Sequence, residues 1–153
     1  NIAIVPNINR SVITPYSARE MFSLAGDVDR YSEFLPWCRD SVILERTEAE
    51  VLAKIVLAYK GWNTTFTTRN QMAPDQLIEM RLVEGAAFSS LSGDWRFRAL
   101  DEMACEVSLD VNFSLAGKLG GRMLEPIFSR ICNELIDAFI ARAKSLYGER
   151  AFA

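Results

Sequence analysis

No histidine occurs in the 153 residues, and this absence removes more chemistry than any other feature of the chain. Imidazole is the side chain whose ordinary pKa lies nearest neutral pH, and it is the commonest metal ligand. Without it, a Ser–His or Cys–His nucleophile pair is excluded, as is a mixed Cys/His zinc site. Cysteine is scarce as well: Cys38, Cys105 and Cys132 are odd in number, far apart and form no Cys-x-x-Cys pair. They read as three reduced, buried thiols of a cytosolic protein. Neither a Gly-x-Ser-x-Gly elbow nor a glycine-rich phosphate loop occurs. The acidic clusters Asp101-Glu102 and Glu48/Glu50 fall in expected turns. The expectation is a protein that is not an enzyme, with no catalytic residue, no metal and no required cofactor.

Long apolar runs are also missing. None approaches the roughly 20 residues that span a bilayer, and Asn1–Asn7 shows no basic region leading into an apolar core. A cytoplasmic location is expected. Positive charge is not in surplus: the net charge is −3 and the pI about 5.1. Phosphate contacts supply most nonspecific nucleic-acid affinity, so no DNA partner is expected.

Half the residues are hydrophobic, and their spacing is informative. Ile8–Thr14 alternates as a strand and Pro15 stops it. Ser17 and Glu20 have capping-box spacing ahead of a helix carrying Met21, Phe22 and Leu24 and ending at Gly26. A second short helix is expected over about Asp29–Phe34, capped by Asp29 and halted by Pro36. The period then becomes two. Strands are expected over Ser41–Arg46, through Val51, Ala53, Ile55 and Leu57, through Trp62, Thr64, Phe66 and Thr68, through Ile78, Met80 and Leu82, through Trp95, Phe97 and Ala99, and from Val107 to Leu115. Turns fall at Lys60-Gly61 and Ala73-Pro74-Asp75. Gly117, Gly120 and Gly121 read as a hinge before one long helix, Arg122–Tyr147, with an apolar stripe through Ile127, Ile131, Leu135 and Phe139 and with Pro126 near its start.

The order is strand, two short helices, antiparallel meander, long helix. This defines an α+β domain over residues 1–153 in which only the last helix is large enough to cover the sheet's apolar face. A twisted sheet around a helix leaves pockets between the layers. Phe34, Leu35, Pro36 and Trp37 would form its lip. Phe66, Met80, Leu82, Trp95, Phe97, Val111 and Phe113 from the strands, with Met123, Ile127 and Ile131 from the helix, would form its wall. Arg69, Asn70 and Arg96 are the polar candidates to donate a hydrogen bond to a ligand.

Four segments carry a family resemblance: GDVDRYSEFLPWC (Gly26–Cys38), TFTTRNQ (Thr65–Gln71), GDWRF (Gly93–Phe97) and ARAKSLY (Ala141–Tyr147). Over about Ile8–Tyr147 the chain resembles the START-like coenzyme Q-binding family, including its bacterial branch of ribosome association toxins. The resemblance implies a helix-grip (START/Bet v 1-like) fold. It implies a noncatalytic carrier whose cavity binds ubiquinone or a related prenyl lipid in support of respiration, with transient contact at the inner-membrane surface. The toxin branch implies an alternative, binding to the large ribosomal subunit to block subunit association, for which the outward residues Lys54, Arg69, Arg81, Arg96 and Arg98 would serve.

Overall fold

Pro15 cannot extend a ladder, so the first strand, β1 (Asn7–Thr14), gives way at once to a helix. That helix, α1 (Ala18–Gly26), starts on the expected capping box: Ser17 Oγ accepts from the Glu20 amide at 3.1 Å, and Glu20 accepts from the Ser17 amide at 2.9 Å. The computed structural model describes residues 6–153, leaving aside the side chains of 118–120. The leader reading of Asn1–Asn7 therefore falls mostly outside the described residues.

The second helix differs from expectation. It is a single 3₁₀ segment, Val28–Glu33, whose N-cap is Asp27, and no cap side chain bonds to it. Only Val28 and Tyr31 are buried there. Too few apolar positions recur to sustain α-helical packing, and the tighter helix suits so short a run.

Six further strands follow: β2 (Cys38–Arg46), β3 (Glu50–Tyr59), β4 (Trp62–Ala73), β5 (Leu77–Gly85), β6 (Phe88–Ala99) and β7 (Cys105–Leu115). They form one antiparallel sheet in the order β1-β7-β6-β5-β4-β3-β2. The β3–β4 connection is a two-residue turn. Lys60 (φ 49°) and Gly61 (φ 84°) both adopt the left-handed region, the backbone that matches the twist of a hairpin. Val51, Ala53, Ile55 and Leu57 are all buried on the inner face, as are Val107, Leu109, Val111 and Phe113. β6 begins well before the expected Trp95.

The sheet ends at the 30-residue helix α2 (Lys118–Tyr147), about 45 Å long at 1.5 Å per residue. Gly117 is its N-cap at φ 83°. Gly120 and Gly121 lie inside its first turns, so the expected glycine hinge is reduced to Gly117. Pro126 sits in the third turn and withholds one hydrogen bond from the Arg122 carbonyl. α2 lies across the curved sheet, Phe128 edge-on to Phe113 with ring centroids 4.7 Å apart and Phe139 edge-on to Trp95 at 5.0 Å. This is the helix-grip arrangement. No helix among the described residues is long and apolar enough to cross a membrane.

Candidate functional site: an apolar pocket between sheet and helix

Sheet and helix do not meet flush. Between them lies a cavity of about 80 Å³. Its sheet wall comes from Ala53 and Ile55 of β3, Phe66, Thr68 and Asn70 of β4, Met80 of β5, Gly93 and Trp95 of β6 and Val111 of β7. Phe128, Ile131, Cys132, Leu135 and Phe139 of α2 form its roof, and Val28, Tyr31 and Trp37 close one end. Ligand pockets for small molecules usually measure about 300–1,000 Å³, so a larger guest needs side chains to move.

Met80 is placed to do so. It pairs with Gly93 across β5 and β6, and its methyl lies 2.7 Å from where a β-carbon of residue 93 would stand. Gly93 thus leaves a slot that the thioether fills. Methionine, unbranched and with three rotatable bonds, vacates such a slot at little cost.

One polar pair breaks the apolar lining. Thr68 and Asn70 are 5% and 3% exposed, and Thr68 Oγ1 donates to Asn70 Oδ1 at 2.8 Å. Among the described residues, that bond is the one the Asn70 side chain makes. An amide N–H left without a partner in an apolar interior costs about 1–3 kcal/mol.

The pocket's ionisable groups are held neutral. Burial pushes the Cys132 thiol up to about 12. Burial first, then the charges of Cys38 and Asp27, push the Tyr31 phenol well above its usual value. The Tyr31 hydroxyl donates to the Ala25 carbonyl.

The expected site residues divide. Trp37, Phe66, Met80, Trp95, Val111, Ile131 and Asn70 line the cavity. The expected lip does not stay together: Leu35 is 1% exposed in the core, Pro36 is exposed in the turn, and Phe34 packs edge-on to Tyr31 and Phe139. Phe97 and Phe113 are fully buried behind the wall, Phe97 stacked on Trp95 and edge-on to Phe22. Leu82 turns toward Gly85 beside the bulge that separates Thr67 from Thr68. Ile127 packs against the core without reaching the cavity. Met123, expected in the wall, is 76% exposed, because the inward stripe of α2 runs through Phe128, Ile131, Leu135 and Phe139. Arg69 and Arg96 lie outside: Arg69 pairs with Glu50 and Arg96 stands 3.9 Å from Asp94. Neighbours on a strand face opposite ways, so Asn70 can enter the cavity only if Arg69 does not.

Tyr31, Cys132, Phe128, Leu135 and Phe139 were not among the expected site residues. Phe128, Leu135 and Phe139 share the stripe of Ile131, a signal present in the helical spacing. Tyr31 and Cys132 reach the cavity by tertiary packing.

A sheet gripping a helix around a largely apolar hollow defines the START-like class of folds. The chain belongs to the family described as polyketide cyclase / dehydrase and lipid transport, which matches residues 14–140. It is 46% identical over 142 residues to a protein of Pseudomonas aeruginosa named ribosome association toxin RatA, with 93% of this chain and 98% of the relative covered. It is 24% identical over 136 residues to the mitochondrial coenzyme Q-binding protein COQ10 of Drosophila melanogaster, covering 87% of this chain and 56% of that one. The ZhuI aromatase/cyclase of a Streptomyces species superposes with a TM-score of 0.83 over 97% of this chain and 98% of its own, at 20% identity, which is a likeness of fold.

Proposed function

We propose that this chain is a noncatalytic protein that holds one apolar molecule, a ubiquinone or related prenyl lipid, between sheet and helix. The observation that carries the reading is the lining: apolar on every wall apart from Thr68 and Asn70, with Tyr31 and Cys132 neutral at physiological pH. General acid–base work needs a group that titrates near pH 7, and this lining offers none. Each CH₂ of a prenyl tail that leaves water adds about 0.8 kcal/mol, so affinity needs few polar contacts. The coenzyme Q-binding name of the distant COQ10 relative supports the same reading. Titration with a short-chain ubiquinone tests it. Trp37 and Trp95 line the cavity, so saturable one-to-one quenching of tryptophan fluorescence is expected. A linear, non-saturating response overturns the reading.

A second activity, association with the large ribosomal subunit in the cytoplasm, is favoured by a separate observation: the 46% identical relative carries the name ribosome association toxin across 98% of its length. At the expected residues the four arginines each have a carboxylate, while Lys54 is exposed and makes no ion pair among the described residues. Arg81 bonds Asp94 at 2.9 Å and Arg98 bonds Glu106 at 3.2 Å, while Arg69 and Arg96 have the carboxylates named above. Sucrose-gradient profiles after induction are expected to show more free subunits and fewer joined ribosomes. An unchanged profile overturns this second reading and leaves the first intact.

A further inference from the structure

Three residues of the pocket face one another across the sheet. Asn70 on β4 pairs with Met80 on β5, and Met80 pairs with Gly93 on β6. Along this row lie a buried amide, a flexible thioether and a missing side chain. Thr68 occupies the Asn70 carbonyl oxygen, so the amide N–H groups are what the pair still offers to a guest. Around them stand Phe66, Trp95, Val111 and Phe128, whose faces can flank a flat ring.

We propose that this row is a ring slot for cyclic molecules bearing a ring or aryl carbonyl, in which Met80 swings off Gly93 to admit the ring and Asn70 Nδ2 donates to the carbonyl oxygen. The proposal rests on the reading that the pocket holds an apolar ligand, and it adds which ligands the pocket prefers. A pure hydrocarbon of the same shape leaves the Asn70 amide unanswered. The preferred guest is therefore a largely apolar ring that presents a carbonyl to Asn70.

Acetophenone and α-methylstyrene test the slot because they share a shape and differ in C=O against C=CH₂. Their affinities are measured by NMR titration for the wild type and for Asn70→Leu, and the ratio of ratios cancels their different solubilities in water. The preference for acetophenone is expected to be about tenfold larger in the wild type, the worth of one hydrogen bond in such a site. In the wild type, acetophenone is expected to shift the Asn70 side-chain NH₂ resonances where α-methylstyrene does not. Both probes are expected to shift the Met80 methyl. The NH₂ readout decides the matter if Asn70→Leu fails to fold. An equal preference in the two proteins, or unmoved Asn70 resonances with acetophenone bound, overturns the proposal while the apolar-ligand reading stands. Binding of neither probe to the wild type overturns the ring slot and leaves the prenyl-lipid reading to the ubiquinone titration.

Discussion

Gly93 and Met80 fill one position between them, and that makes Gly93 the most telling residue of the sheet. Its backbone needs no left-handed conformation. What it supplies is space, with a Val111 methyl the next neighbour at 3.6 Å from the β-carbon position. Gly93→Ala is expected to fill the slot and displace the flexible end of Met80, at a cost of up to about 1 kcal/mol in urea denaturation, and to weaken uptake of any ring-bearing probe. Unchanged stability and unchanged uptake would show that the slot is not what glycine preserves there. Cys132 gives a second prediction at this scale. Burial raises its thiol from 9.0 to about 12, and burial, with the charge of Glu20 adding, raises Cys105 to about 11. A raised folded-state pKa means that stability is fully present below the unfolded value and is lost as pH climbs through the folded one. Denaturant midpoints are therefore expected to hold up to about pH 9 and to fall between pH 9 and 12. In native protein at pH 8, iodoacetamide should leave Cys132 unmodified. Rapid alkylation there would mean that the roof of the pocket opens freely.

At the scale of elements, the 3₁₀ segment Val28–Glu33 is tied to α2 by contacts that a short helix cannot make alone. Arg142 bonds Glu33 at 3.0 Å and lies 5.0 Å from the centre of the Phe34 ring, while Phe139 receives both Tyr31 and Phe34 edge-on. Arg142→Ala is expected to speed hydrogen exchange at Val28–Glu33 and leave β7 unchanged, which mass spectrometry of peptic fragments would resolve. Equal acceleration in both would contradict a local latch. Phe139→Ala removes the ring that Trp95, Tyr31 and Phe34 share, and about 3–5 kcal/mol of stability should go with it, read from urea midpoints. Elements with clean periods were legible in the chain. β7 alternates without a break, and the capping box marks the start of α1 to the residue. The first half of β6 was not, because Ser89, Ser90, Ser92 and Gly93 carry no apolar alternation; Ser90, Ser92 and Gly93 are held by pairing to β7, and Ser89 falls at a register shift. The start of α2 was obscured by Gly120 and Gly121, which propensity places outside a helix and this fold does not.

At the scale of the molecule, alternation shows which face of each strand turns inward but not how far along the strand the hollow extends. Phe66, Trp95 and Val111 share that face with Phe97 and Phe113, and only the crossing of α2 separates cavity wall from solid core. The lip failed for a related reason: Leu35 and Trp37 alternate inward from Pro36, so a run that looks uniformly greasy is split by its backbone. On the outer face Arg69, Arg81, Arg96 and Arg98 each stand beside a carboxylate, in keeping with the net charge of −3. What distinguishes this chain is therefore its interior. Native mass spectrometry of protein isolated from bacterial cells without detergent addresses that interior most directly. A species heavier by one apolar molecule is expected, or an apo species that gains one equivalent after incubation with short-chain ubiquinone. A single unliganded mass before and after that incubation would contradict it.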